Sequence, residues 1–134
     1  MNPFASFAPL AHNLFRIVFG FAFFTHGAQK LFGWFTTRDP VTLMSEFGVA
    51  GVIECFGGLL IMIGLGTSWA AFIASGEMAV AYFWKHGMTD DGFRFWFWDN
   101  RGELVALYCF AFLFLATIGA GTWSVDAKLA QRRL

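Results

Sequence analysis

Four ionisable side chains stand where ionisable side chains are expensive. His26, Lys30, Glu54 and Glu77 each lie inside a long apolar stretch. A charge at mid-bilayer costs about 2.5–3.5 kcal/mol on insertion scales, so by default such residues mark function. His26 and Lys30 are four apart, which makes them neighbours on one helical stripe. Two carboxyls facing one lysine cannot both be comfortably ionised at low dielectric, so the cluster holds a proton that it could exchange with a ligand. Against this stands a structural reading, in which a Lys–Glu pair ties helices together and His26 donates to a backbone carbonyl. The residues alone leave both readings open.

The elements that must position these groups are membrane helices. Hydrophobic residues make up 57% of the 134 positions and charged residues only 13%, against about 45–50% and about 25% in soluble domains. So small a chain could not hide that much apolar surface, including nineteen Phe and six Trp, from water. The expected fold is all-α, a four-helix transmembrane bundle forming a single domain over residues 1–134. Its apolar segments run from about Leu10 to Gly33, Gly48 to Gly66, Trp69 to Trp84 and Glu103 to Gly119. The third is short for a span of about 17–25 residues. The opening Met1-Asn2-Pro3-Phe4 stretch lacks the basic region and cleavage site of a signal peptide, so the first segment is expected to stay in the membrane.

Depth places the charges together. At about 1.5 Å per residue, His26, Glu54 and Glu77 each lie about 10 Å from the same end of the bundle. Glu103 and His86 are expected just above them. Glu54 shares its stripe with Ala50, Gly51, Gly57 and Gly58, and Glu77 shares its stripe with Ala70, Ala74 and Ala81. Small residues let membrane helices approach closely, so both glutamates are expected to point inward. Arg16 can snorkel from the first span towards the terminal side.

With four spans, the loops Trp34–Phe47 and Lys85–Gly102 lie on one side and both termini on the other. The tail carries Lys128, Arg132 and Arg133, with one acidic neighbour, against Arg38, Lys85, Arg94 and Arg101 in loops with several. That contrast favours cytoplasmic termini, although Lys and Arg alone do not decide it. The longer loop holds Phe93-Arg94-Phe95-Trp96-Phe97-Trp98. Such a run serves either as an interfacial anchor or as a lid, with Trp96 and Trp98 closing over a flat apolar ligand such as a quinone. Gly66-Thr67-Ser68 is expected to make a tight hairpin between segments two and three.

Other classes are disfavoured. Nine basic and nine acidic residues provide no basic face for nucleic acid. Cys55 and Cys109 lie in apolar runs and form no C-x-x-C pair, which argues against a dithiol or zinc site. His12 and His86 fall near opposite ends, leaving His26 alone within a span, so neither metal nor haem is expected.

The chain resembles the DoxX family of membrane proteins. The resemblance rests on His26-Gly27-Ala28-Gln29-Lys30-Leu31-Phe32-Gly33, Glu54-Cys55-Phe56-Gly57-Gly58-Leu59, Gly102-Glu103-Leu104 and Gly119-Ala120-Gly121-Thr122-Trp123-Ser124-Val125-Asp126, in that order. It implies a multi-pass four-helix protein of the bacterial inner membrane. Some relatives are small subunits of a thiosulfate:quinone oxidoreductase, and others are tied to thiol and oxidative-stress systems. The lipid bilayer, a quinone and a redox partner subunit are therefore the expected associates. The pocket candidates are His26, Lys30, Glu54, Glu77 and Glu103. The alternative is a non-catalytic scaffold or small-molecule carrier whose charges are structural.

Overall fold

The computed structural model describes residues 1–132, and Arg133 of the basic tail lies outside them. The chain is mostly helical. After a short turn at Ala5–Phe7, α1 spans Ala8–Phe32 and closes on Gly33. A loop leads to α2, Glu46–Ile63, whose first turn is capped by Ser45 Oγ accepting from the Gly48 amide at 3.0 Å. Helix α3, Thr67–Val80, continues without a break into a π-helical turn over Ala81–Gly87. A two-residue hairpin, β1 (Met88–Thr89) with β2 (Gly92–Phe93), and a single turn, α4 (Phe97–Asn100), precede α5, Glu103–Ile118. A last short helix, α6, covers Val125–Gln131.

The apolar segments read from the sequence match α1, α2, α3 and α5 closely. The tight connection between α2 and α3 sits slightly earlier than expected. It is formed by Gly64, Leu65 and Gly66, and Thr67 already belongs to α3. Gly64 and Gly66 hold φ of 76° and 58°, a left-handed geometry that glycine adopts without a Cβ penalty.

Two helices are long and apolar enough to cross a membrane, Ala5–Phe32 and Glu46–Ile63. They pack backbone to backbone, because a Cβ on Gly27 would fall on the Cys55 backbone and one on Gly58 on that of Phe24. Close approach through small residues is how membrane helices associate when lipid is as apolar as their side chains. Helix α3 lays Ala70, Ala71, Ala74 and Met78 against Tyr108, Phe112 and Leu115 of α5, with Phe23 and Ile61 completing the core. The outer faces stay apolar and exposed, as at Phe21, Phe56, Phe72 and Phe110. An exterior of this kind fits a lipid surround rather than water.

At the terminal end, Arg16 does not snorkel. It is fully buried. Its Nη1 donates to the carbonyls of Ile61, at 2.7 Å, and Met62, and its Nη2 donates to the Trp123 carbonyl at 2.5 Å. Asn13 joins the same knot, donating to Pro9 O and Thr122 Oγ1 and accepting from the Trp123 amide. His12 Nε2 donates to Gly119 O at 3.0 Å. Asp126 caps the start of α3, accepting from the Gly66 and Thr67 amides at 2.9 and 3.2 Å. The last carbonyls of a helix lack the usual i+4 amide. Ile61 O accepts from the capping Gly64 amide at 3.1 Å, and the guanidinium adds a donor to it and to Met62 O.

Candidate functional site

A cleft of about 650 Å³ opens between α2 and α3, on the side away from the terminal knot. Two stretches of π-helix flank it, Ile53–Gly57 within α2 and Ala81–Gly87 after α3. Such turns add a residue to the helical circuit and recur at functional sites. Glu54 lies in the first of them, while Ala81, Trp84, Lys85 and His86 of the second line the cleft. Phe47, Val49, Ile53, Ile73 and Val80 complete its apolar walls. Several of these, including Phe47, Val49, Ile73, Val80 and Trp84, are also exposed on the outer surface.

Three ionisable groups form the floor. Lys30 Nζ donates to Glu54 Oε1 at 2.5 Å, joining α1 to α2. Glu77 reaches in from α3, within electrostatic range of both. Glu54 is only 4% exposed. The second oxygens, Glu54 Oε2 and Glu77 Oε2, are buried without a hydrogen-bond partner among the described residues. Buried polar atoms are rarely left unpaired, and each exception asks for a cause such as a bound water, an ion or a catalytic role. At the mouth Lys85 pairs with Glu46 and lies 5.4 Å from the centroid of the Phe47 ring.

The other sequence candidates fall elsewhere. His26 turns away from the cleft and meets Tyr108 of α5 edge to face, with ring centroids 6.0 Å apart. Tyr108 is itself within electrostatic range of Glu54, so His26 stands behind the floor rather than on it. Glu103 is exposed at the start of α5 and makes no hydrogen bond or ion pair among the described residues. The first turn of a helix suits a carboxylate because of its exposed amides, which accounts for Glu103 without a pocket. Trp96 and Trp98 stack on each other, centroids 5.1 Å apart, and both are exposed and absent from the cleft lining. Their loop is tied down by Asn100, which donates to Arg94 O and accepts from the Gly102 amide, and by the Tyr82 hydroxyl donating to Phe95 O. It is not placed over the cleft. His86 Nδ1 donates to Asn100 O at 3.1 Å.

Sequence reasoning set Ala50 and Ala81 beside the two glutamates but missed the apolar walls at Phe47, Val49, Ile53, Ile73 and Val80. Glu46, Ala50 and Glu54 recur every four residues, and so do Ile73, Glu77 and Ala81. That spacing marks the two helix faces that meet across the cleft. The π turns had no such signal.

The DoxX family model matches residues 11–87, a stretch that includes most of α1, all of α2 and α3, and Lys30, Glu54 and Glu77 of the floor. The chain belongs to the DoxX family. An uncharacterized protein of Haemophilus influenzae is 37% identical over 140 residues, covering 98% of this chain and 100% of the relative. No solved structure matches the chain. Family and apolar helices together make this DoxX chain a membrane protein.

Proposed function

We propose that this DoxX protein is a multi-pass, four-helix protein of the bacterial inner membrane that binds a quinone in the α2–α3 cleft. In this reading it serves as the membrane subunit of a quinone-linked oxidoreductase and works beside a redox partner. Helices α3 and α5 complete the set of spans, and the exposed Trp96 and Trp98 anchor their loop at the interface.

The observation that carries the reading is the pairing of an apolar wall with unsatisfied polar atoms at its base. A quinone has a flat apolar body, travels in lipid and ends in groups that exchange protons. Because the wall residues also face outward, such a molecule can reach the cleft from within the bilayer. Ligand sites are mostly apolar with a few placed polar groups, and two buried carboxylate oxygens without partners fit that description. When bound, the quinone supplies the redox chemistry. The residues of this chain bind, orient and handle protons. Lys30 keeps hydrogens free to donate beyond its bond to Glu54. Glu54 fixes the position of Lys30, and Glu77 gives or takes a proton at the base. General acid–base groups act at this hydrogen-bonding range.

Glu54→Gln tests the reading. Glutamine keeps the shape but removes the ionisable proton, and Glu77 is near enough to serve the charge of Lys30. Quinone binding or reduction per folded molecule is expected to fall about tenfold or more, with only a modest loss of thermal stability in detergent. A loss of stability with unchanged activity per folded molecule would instead favour a scaffold whose Lys30–Glu54 pair is structural.

A further inference from the structure

The floor of the cleft is unbalanced in charge. Glu54 and Glu77 bring two carboxyls and Lys30 one ammonium. The other charged groups facing Glu77 do not correct this. Glu46 and Lys85 at the mouth pair with each other. His86, on the turn that continues α3, is engaged with Asn100 O. On the far side of Glu54, Tyr108 of α5 is within electrostatic range of it, and His26 of α1 meets Tyr108 edge to face. In a low-dielectric site an uncompensated carboxylate is costly, so the floor must take up one positive charge. A proton can supply it, and so can a cation.

Two further observations say which cation. Glu54, itself more than nine-tenths buried, lines the cleft with Oε2 unpartnered, and Glu77 Oε2 is in the same condition. Two acceptors without donors suit a head group carrying at least two N–H bonds. The walls include Phe47 and Trp84, and the Phe47 ring already holds the Lys85 ammonium 5.4 Å from its centroid. Aromatic faces attract cations at such distances.

We propose that the cleft binds aromatic ammonium ions, exchanging one proton for each ion taken up. The balance is simple: the ammonium enters with its charge, the proton leaves Glu77 for solvent, and the net charge of the floor does not change. No bond other than O–H breaks and no redox partner is required. The inference uses the same cleft as the quinone reading but does not depend on quinone being its occupant.

The test uses the full chain in lipid nanodiscs. The probe is 2-(1-naphthyl)ethylammonium, with 2-(1-naphthyl)ethanol as a neutral control of the same body. The ammonium is expected to bind more tightly than the alcohol and to release about one proton into weak buffer. Its affinity should rise by up to about tenfold per pH unit while the carboxyl is still losing its proton. The sign follows from competition, since protons and the ammonium occupy the same charge site. Glu77→Gln should cut ammonium affinity about tenfold or more, abolish proton release and narrow the preference for the ammonium over the alcohol. Glu77→Asp should restore proton release, which separates loss of charge from loss of fold. Ammonium binding no tighter than the alcohol, or unchanged in Glu77→Gln, or without proton release, would overturn the inference. Quinone titrated in parallel distinguishes the two readings. Quinone binding without ammonium binding defeats only this inference, and ammonium binding without quinone binding upholds it while defeating the quinone assignment.

Discussion

Arg16→Ala is expected to lower the thermal midpoint of the purified protein by on the order of 10 °C or more, the largest effect of any single substitution proposed. Arg16 is fully buried and donates to three carbonyls on two separate segments, Ile61 and Met62 at the end of α2 and Trp123 after α5. Alanine removes all three hydrogen bonds at once and leaves those carbonyls without their side-chain donor. Breaking a buried charged network by deleting one partner costs about 3–5 kcal/mol. Arg16→Lys should recover only part of it, because an ammonium is a point donor and cannot span both segments as the planar fork does. Unfolding followed by circular dichroism in detergent measures both variants. A midpoint for Arg16→Ala close to that of the parent would mean that the terminal knot is decoration.

Gly76→Phe should reduce quinone binding about tenfold or more while barely changing the fold, since filling a ligand cavity removes the space the ligand needs. Gly76 lines the cleft, and a Cβ placed there meets nothing within 4 Å. The phenyl group therefore enters open space rather than the core, and none of the charged residues is altered. Substitutions outside packed regions usually stay within about 0.5 kcal/mol, so the midpoint should hold. Equilibrium binding and thermal unfolding on the same preparation check both halves. Undiminished binding would place the ligand somewhere other than this cleft.

The contrast between these two sites shows what the sequence could and could not reveal. Depth along the helices and the stripes of small residues turned Glu54 and Glu77 inward at one level. The four-residue spacing put Lys30 on the stripe of His26, and the structure pairs Lys30 with Glu54 at 2.5 Å. The same reasoning carried His26 into the pocket, yet its ring meets Tyr108 on α5. Sequence spacing gives the face of a helix but not which neighbour that face will meet. Trp96 and Trp98 had the composition of a lid. The path of their loop is set by Asn100 and Tyr82 bonding to backbone groups, and nothing in the aromatic run itself encodes that. Arg16 is the clearest case. One of its partners is a carbonyl 107 residues away, and a backbone carbonyl has no residue type by which to find it. The π turn beginning at Ile53 likewise arises without a proline to announce it.

Photolabelling in native membranes addresses the quinone site most directly. An azido-quinone is photolysed with the wild-type chain and with Gly76→Phe, and the adducts are mapped by peptide mass spectrometry. The expected adducts fall within residues 46–54 and 73–86, disappear with excess unlabelled quinone and are lost in Gly76→Phe. Adducts confined to the Trp96–Trp98 loop or to α5 beyond Val105, which itself lines the cleft, or undiminished by excess quinone, would contradict a quinone site between α2 and α3.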